Sequence, residues 1–118
     1  MLLVMRSTLA MEYCYEIYKT EPNTDRAERA IFLLPEMADA RFVQWARELM
    51  EDSNKSVRWN ALAALEQVLR GPLGDDEIAV AKELLVSAET DPDEGYRERA
   101  KEIRERLASD PFLRHLGL

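Results

Sequence analysis

The chain contains very few of the residues from which disulfides and metal sites are built. Its 118 residues include one cysteine, Cys14, and one histidine, His115. A single cysteine excludes an intrachain disulfide, and a chain without disulfides is typical of a reducing compartment, so we expect a cytoplasmic protein. The histidine is 101 positions away, which excludes a zinc site of short spacing and gives Cys14 no neighbouring base. We therefore predict no bound metal and no cofactor.

Glycine is also scarce, and the two motifs in which glycine most often serves catalysis are missing. Neither Gly71 nor Gly74 is followed by the Lys-Ser/Thr pair of a phosphate-binding loop. The sequence has no Gly-x-Ser-x-Gly nucleophile elbow. Glutamates are abundant, but their abundance is itself the reason why no pair is singled out as catalytic. The sequence therefore predicts a protein that is not an enzyme.

Positive charge is in deficit. The chain has 16 lysines and arginines against 23 aspartates and glutamates, which gives a formal net charge of −7. This balance argues against binding to nucleic acid or to an anionic membrane, because such contacts require Lys and Arg. It favours a basic protein partner, whose approach an acidic surface accelerates. The apolar start, residues 1–5, is interrupted by Arg6 and Ser7, so it is too short for a signal-peptide core or a membrane span.

The most informative feature that is present is a repeated pair of helical signatures. The segment 43–49 (VQWAREL) recurs 35 residues later as 78–84 (IAVAKEL). A second signature follows each copy, at 57–61 and again 39 residues later, and a weaker copy of the first begins at Ala10. We attribute the unequal spacings to a longer loop in the third unit, because loops accept insertions more easily than packed helices. Two-helix units of this kind predict an α-solenoid, in which each unit buries its apolar face against its neighbours.

Turn signals divide the chain into three antiparallel helical hairpins within one domain, residues 1–118. The predicted helix pairs are 5–20 with 24–38, 40–51 with 55–70, and 75–89 with 94–109. Pro35 falls inside the second helix and should kink or end it, because proline cannot continue the hydrogen-bond ladder.

Caps and a closing turn complete the predicted array. Ser56 or Ser53 is expected to cap the fourth helix, and Asp75 or Asp76 the fifth. The tail after residue 109 should form a short turn that covers the end of the stack. The apolar residues expected to cover it are Phe112, Leu113 and Leu116.

Apolar residues at helical spacing predict the core of the second and third hairpins. Trp45 lies at the edge of the apolar stripe of its helix and is interpreted as core. The stripe of the fourth helix comprises Val57, Ala61, Ala64, Leu65 and Val68. The stripe of the sixth comprises Tyr96, Ala100, Ile103 and Leu107.

Two runs of residues carry a family resemblance. Asp52, Val57-Arg58 and Ala61 form one run, and Asp91, Tyr96-Arg97 and Ala100 form a looser copy. They resemble HEAT repeats of the short bacterial kind, in which an acidic turn precedes a helix that opens with Val-Arg-x-x-Ala. The resemblance covers 40–109 well and 5–38 poorly. It implies that the second helices line an inner, concave wall, and that the protein acts as a scaffold, adaptor or inhibitor.

The face of the second helices opposite the core stripe is the candidate partner-binding surface. Glu28, Trp59 and Glu98 are interpreted as one equivalent position in the three units. Tryptophan is frequent among interface hot spots, and carboxylates suit a basic ligand. The alternative is that the tryptophan only covers a neighbouring helix, while the glutamates keep the face solvated. The candidate residues are Glu28, Trp59, Glu66, Arg70, Glu98, Glu102 and Glu105.

Two functional hypotheses follow. The first is a non-catalytic module that binds a basic protein through its second helices, with an immunity protein that inhibits a nuclease toxin as the concrete example. The alternative is a cofactor-handling or enzymatic HEAT-like protein similar to bilin lyases, or a structural repeat scaffold. The first helix is rich in aromatic residues, and together with the apolar start it allows a homodimer through the terminal helix.

Overall fold

A computed structural model describes the backbone of residues 2–118 and the side chains of residues 9–118. The side chains of the apolar start therefore lie outside the described residues. Within the described backbone the regular elements are seven α-helices and two short 3-10 helices, at Ala40–Phe42 and Pro111–Leu116. The α-helices are α1 (Leu2–Thr20), α2 (Asp25–Phe32), α3 (Leu34–Met37), α4 (Val43–Met50), α5 (Lys55–Leu69), α6 (Asp75–Ala88) and α7 (Glu94–Ser109).

The helices form three stacked hairpins, as the sequence predicts. The first is α1 with α2 and α3, the second α4 with α5, and the third α6 with α7. The molecule measures 40 × 38 × 19 Å, and its smallest dimension matches two layers of helices. The first helices form one layer and the second helices the other. None of the helices in the described residues is both long and apolar enough to cross a membrane.

The turns inside the second and third hairpins share two characteristic hydrogen bonds at a spacing of 39 residues. The backbone N–H of Asn54 donates to Asp52 Oδ1 at 2.7 Å, and that of Asp93 donates to Asp91 Oδ1 at 2.8 Å. Arg58 Nη1 donates to the Asp52 carbonyl at 2.9 Å, and its counterpart in the third hairpin makes the same bond at 3.0 Å. The loop of the third hairpin is longer, as expected, but by one residue only, since five residues (89–93) separate its helices against four (51–54) in the second hairpin. The first helices differ more, with 14 residues in α6 against 8 in α4.

The caps differ from the expected ones. Asn54, rather than Ser56 or Ser53, caps α5, and its side chain accepts hydrogen bonds from two backbone N–H groups of the first turn. The cap position of α6 is Gly74, where the Glu77 side chain accepts the Gly74 N–H at 2.8 Å. The N-cap of each of these two helices is thus the residue that the preceding segment places in extended backbone. The serines and aspartates expected as caps lie one or two positions away from that cap position.

Proline interrupts the second helix where the sequence predicts. Helix α2 ends at Phe32, and a new single turn, α3, begins at Leu34 with Pro35 in its first positions. Proline is accepted there because the first N–H groups of a helix have no partner inside the helix. The interruption shortens α2 to 8 residues and leaves Phe32 at its end.

The predicted core stripes are confirmed, since all nine of their residues are buried. Trp45 is only partly buried, and its ring stacks on Tyr15 of the first hairpin with a centroid distance of 4.5 Å. At the C-terminus Leu113 and Leu116 are buried as expected. The expectation for Phe112 is wrong, because its side chain is 88% exposed.

Candidate functional site

The side chains of α7 are sorted by charge around the helix. Four glutamates recur at spacings of four, four and three residues, which places them on one face, and all four are exposed. Lys101 lies at the edge of this face and is also exposed. We call this face the acidic stripe. Its members are Glu94, Glu98, Glu102 and Glu105.

The arginines of α7 are engaged within the molecule. Arg97 binds the Asp91 carbonyl, as described above, and Arg104 Nε donates to both carboxylate oxygens of Glu89 at 2.8 and 3.0 Å. Arg106 crosses to α5, and Arg99 forms a looser pair with Glu102 at 3.6 Å. Because most of the cations turn to the sides of the helix and bind neighbouring elements, the outward face keeps its negative charge.

Glu66 of α5 ties the second helices of two hairpins together. Arg106 Nη2 donates to Glu66 Oε1 at 2.9 Å, and Arg70 Nη2 donates to Oε2 at 3.1 Å. Arg70 also lies 3.5 Å from a carboxylate oxygen of Asp110. Burial alone would raise the pKa of Glu66, yet the hydrogen bonds from the two arginines hold that pKa below its ordinary value of 4.5. Of the predicted site residues, Glu66 and Arg70 therefore belong to an internal network.

Trp59 packs against the start of α7. Its ring meets the buried Tyr96 ring edge-on, with centroids 6.1 Å apart, and the Lys55 ammonium lies 5.8 Å from the indole centroid. A Cβ atom added at Gly95 would lie 3.5 Å from the indole, in ordinary van der Waals contact, so the ring lies beside the backbone of this turn. The indole is partly buried, and its geometry matches the alternative that a tryptophan covers a neighbouring helix.

Glu28 occupies a different register from the other two members of its predicted trio. The caps of the three second helices are Thr24, Asn54 and Asp93, and each accepts the N–H three residues on. Trp59 and Glu98 stand five residues after their caps, whereas Glu28 stands four after Thr24. The equivalence of the three positions is therefore wrong for Glu28, and the first-hairpin counterpart of Trp59 and Glu98 is Arg29.

Glu28 lies instead at the junction of the first two hairpins. It lines a cleft of about 250 Å³ whose other walls include Lys19, Glu48 and Asp52. Lys19 Nζ donates to Glu48 at 2.6 Å, and the Tyr18 hydroxyl donates to Asp52. The polar walls of this cleft are thus largely bonded to one another.

Across the second helices the surface changes character. On α2, Phe32 is 66% exposed beside Arg29 and lines a groove whose far wall is Ser56 of α5. The outward face of α5 between these ends carries small or neutral residues such as Ala63 and Gln67. On α7 it becomes the acidic stripe. We call the outward faces of α2, α5 and α7 together the second-helix surface.

The predicted site residues thus separate into groups. Arg70, Glu102 and Glu105 line one shallow depression with Asp110, and Glu98 is exposed one turn away on the same stripe. Sequence reasoning left Glu94 out of the candidate set, although its spacing from Glu98 places it on the stripe. It also left out Phe32, whose exposure follows from the end of α2 just before Pro35.

Acid is expected to destabilise the protein through three bonded carboxylates. Hydrogen bonds from Lys19 and Tyr15 lower the pKa of Glu48, and a backbone N–H and Lys55 lower the pKa of Asp93, as the arginines do for Glu66. The unfolded chain then binds more protons than the folded one near pH 4, so the free energy of unfolding falls as the pH drops through this range.

Urea unfolding at pH 7, 5, 4 and 3 measures this loss. We expect the free energy of unfolding to stay constant above the ordinary glutamate pKa of 4.5 and to decline below it. Glu66→Gln should be less stable than wild type at pH 7 and should decline less steeply in acid. If the free energy of unfolding of the variant fell with pH as steeply as that of wild type, Glu66 would make no contribution to the loss of stability in acid.

Among the described residues, no group of three or more His, Cys, Asp or Glu side chains is placed to hold a metal ion.

Comparison with known proteins supports the architecture. Residues 13–104 match the family model described as HEAT repeats. No curated protein and no solved structure matches the chain.

Proposed function

The chain belongs to the HEAT-repeat family, whose repeats generally mediate protein–protein contacts, and on this premise we propose that it is a non-catalytic module that binds a basic protein through its second-helix surface. The charge sorting on α7 is the observation that carries the proposal. A helix that only needed to be soluble could keep its arginines among its glutamates. Here Arg97, Arg104 and Arg106 are bonded to neighbouring elements, and the four carboxylates of the stripe remain exposed.

Phe32 supplies the apolar part of the same surface. A basic protein held by carboxylates alone binds weakly and loses affinity in salt, because exposed ion pairs contribute little. An exposed aromatic side chain beside the neutral face of α5 provides area that a partner can bury. The surface therefore combines an apolar contact on α2 with an electrostatic contact on α7.

Within this class we propose an inhibitor of a basic protein, for which an immunity protein against a nuclease toxin is the specific hypothesis. An inhibitor of this kind is small, acidic and without catalytic groups, and it acts in the cytoplasm. The net charge of −7 and the single buried cysteine agree with that description.

Charge reversal on the stripe tests the electrostatic part. The test variant carries Glu98→Lys, Glu102→Lys and Glu105→Lys, and the probe is a decalysine peptide titrated into labelled protein by NMR. We expect wild-type amide shifts to concentrate on 94–105, and the variant to bind at least about tenfold more weakly, because opposing potentials become like potentials.

A matched control separates the stripe from net charge. It carries Glu16→Lys, Glu36→Lys and Glu51→Lys, three exposed glutamates away from α7, and changes the net charge equally. We expect it to retain most of the affinity. Equal losses in the two variants would contradict the proposal, because net charge rather than the stripe would then determine binding.

Capture from a lysate of the native host then tests the specific hypothesis. Wild type, the stripe variant and the control variant serve as bait, and retained proteins are identified by mass spectrometry. We expect a basic protein that is retained by wild type and control but not by the stripe variant. If the only dependent ligand is acidic or neutral, the inhibitor hypothesis is rejected.

A further inference from the structure

The two ends of the stack of hairpins differ in whether a segment of the chain covers them. At the C-terminal end the 3-10 helix Pro111–Leu116 lies against α7 and buries Leu113 and Leu116. Lys82 of α6 completes this closure, since its Nζ lies 3.5 Å from the Gly117 carbonyl oxygen to which it donates. The last hairpin therefore has a cover built from the chain itself.

The first hairpin has no such cover among the described residues. Leu9 and Tyr13, one turn apart on α1, are 63% and 55% exposed. The Tyr13 hydroxyl accepts a hydrogen bond from Arg26 Nη2 of α2 at 2.9 Å, which places Tyr13 at the seam of the two helices. Leu33, the residue that directly follows α2, comes seven positions or about two helical turns after Arg26, and it too is exposed. We call Leu9, Tyr13, Arg26 and Leu33 the terminal face.

The terminal face is the stacking side of a hairpin. On the opposite side of α1, Tyr15 stacks on Trp45, and Lys19 binds Glu48 of the second hairpin. Tyr13 and Leu9 are turned about 120–160° away from Tyr15 at 100° per residue. Because the middle hairpin is packed by a neighbour on both sides, the terminal face is the equivalent of the interface that holds the array together.

We propose that a second copy of the chain covers the terminal face, so that two arrays meet end to end about a two-fold axis. A head-to-tail contact would need a free stacking side at the C-terminal end, and the 3-10 helix occupies that side. Contact between two identical faces is isologous, and it closes at the dimer rather than growing into a filament.

The dimensions fit a weak dimer. Helix α1 has 19 residues and is roughly 28 Å long, α2 has 8 residues and is roughly 12 Å long, and each helix is roughly 10 Å wide. The face is thus roughly 400 Å² in projection, below the area per partner in stable complexes and typical of a weak contact. Each copy carries a net charge of −7, so the contact is apolar attraction opposed by repulsion between the copies.

Salt dependence separates this contact from binding of a basic protein. Raising the salt from about 0.01 M to about 1 M shortens the Debye length from about 30 to about 3 Å. We expect the dimer to become several-fold tighter because repulsion is screened, whereas a complex with a basic partner becomes weaker. The opposite salt dependence therefore allows the dimer contact and the contact with a basic protein to be tested separately.

Sedimentation equilibrium from about 5 to about 500 µM, where small interfaces associate, tests the proposal. Wild type should approach twice its mass of 13.6 kDa at high concentration. The double variant Leu9→Asp, Leu33→Asp should stay monomeric, and Phe112→Asp, which removes an even more exposed apolar residue at the other end, should associate like wild type.

Circular dichroism confirms that each variant is folded, and Leu9→Ser replaces the double variant if the aspartates reduce helix content. A wild-type chain that stays monomeric throughout the range overturns the proposal. A dimer that Phe112→Asp abolishes and the terminal-face variants leave intact overturns it as well.

Discussion

Replacing Tyr96 with alanine is expected to lower the free energy of unfolding by about 3–5 kcal/mol. The side chain is 1% exposed and stands in the first turn of α7, where the third hairpin meets the second. Trp59 packs edge-on against its ring, and the Arg58 guanidinium carbon lies 5.9 Å from the ring centroid. Alanine would leave a cavity between two hairpins, and a solenoid depends on such contacts between neighbours.

Tyr96→Phe is the matched control, and we expect it to leave stability unchanged or to raise it by up to about 1 kcal/mol. The hydroxyl is buried and has no hydrogen-bond partner among the described residues, and burial raises its pKa to about 12. Phenylalanine keeps the ring and removes the unpaired group. If phenylalanine were as damaging as alanine, the hydroxyl rather than the ring would be the stabilising element.

Urea unfolding followed by tryptophan fluorescence measures both variants. Trp59 contacts the substituted ring directly, and Trp45 lies in the layer of first helices, so far-UV circular dichroism is needed as a second probe of global unfolding. Coincident transitions by the two probes would justify a two-state free energy for a chain of this size.

The fold was readable from the sequence because two independent signals agree. Apolar spacing places Val57 and Tyr96 inside, and the preceding turns, with Asp52 and Asp91 at a fixed spacing, end one helix and begin the next. The alignment of the first helices of the units with one another could not be predicted in the same way. A segment such as Ala-x-Glu fits a helix equally well one turn earlier or later, and only the bonds of the following turn fix the count.

The candidate site was predictable only where it depends on one helix. The acidic stripe follows from the spacing of Glu98, Glu102 and Glu105, all of which are exposed. The roles of Glu66 and Arg106 do not follow from spacing, because the two residues are 40 positions apart and meet only when α5 packs beside α7. A carboxylate that looks free in a helical projection can therefore be bonded by a neighbouring repeat.

Replacement by alanine is expected to reduce stability strongly at Trp59 and hardly at all at Phe32. Trp59→Ala should cost about 2–3 kcal/mol of unfolding free energy, less than a fully buried tryptophan, because its ring is only partly covered. Phe32→Ala should change stability by less than about 0.5 kcal/mol, since the side chain is 66% exposed. The same urea experiment measures both.

Affinity for the captured basic protein should show the reverse order. We expect Phe32→Ala to weaken binding by about 10- to 30-fold, the range of a moderate hot spot, and Trp59→Ala to leave it within about threefold. Trp59→Phe serves as the milder variant if alanine leaves too little folded protein. A large loss for Trp59 with none for Phe32 would show that the tryptophan is the anchor, as its residue type suggests. Packing against Tyr96 is the reason to expect otherwise, because a ring already held by its neighbour offers a partner little further area to bury.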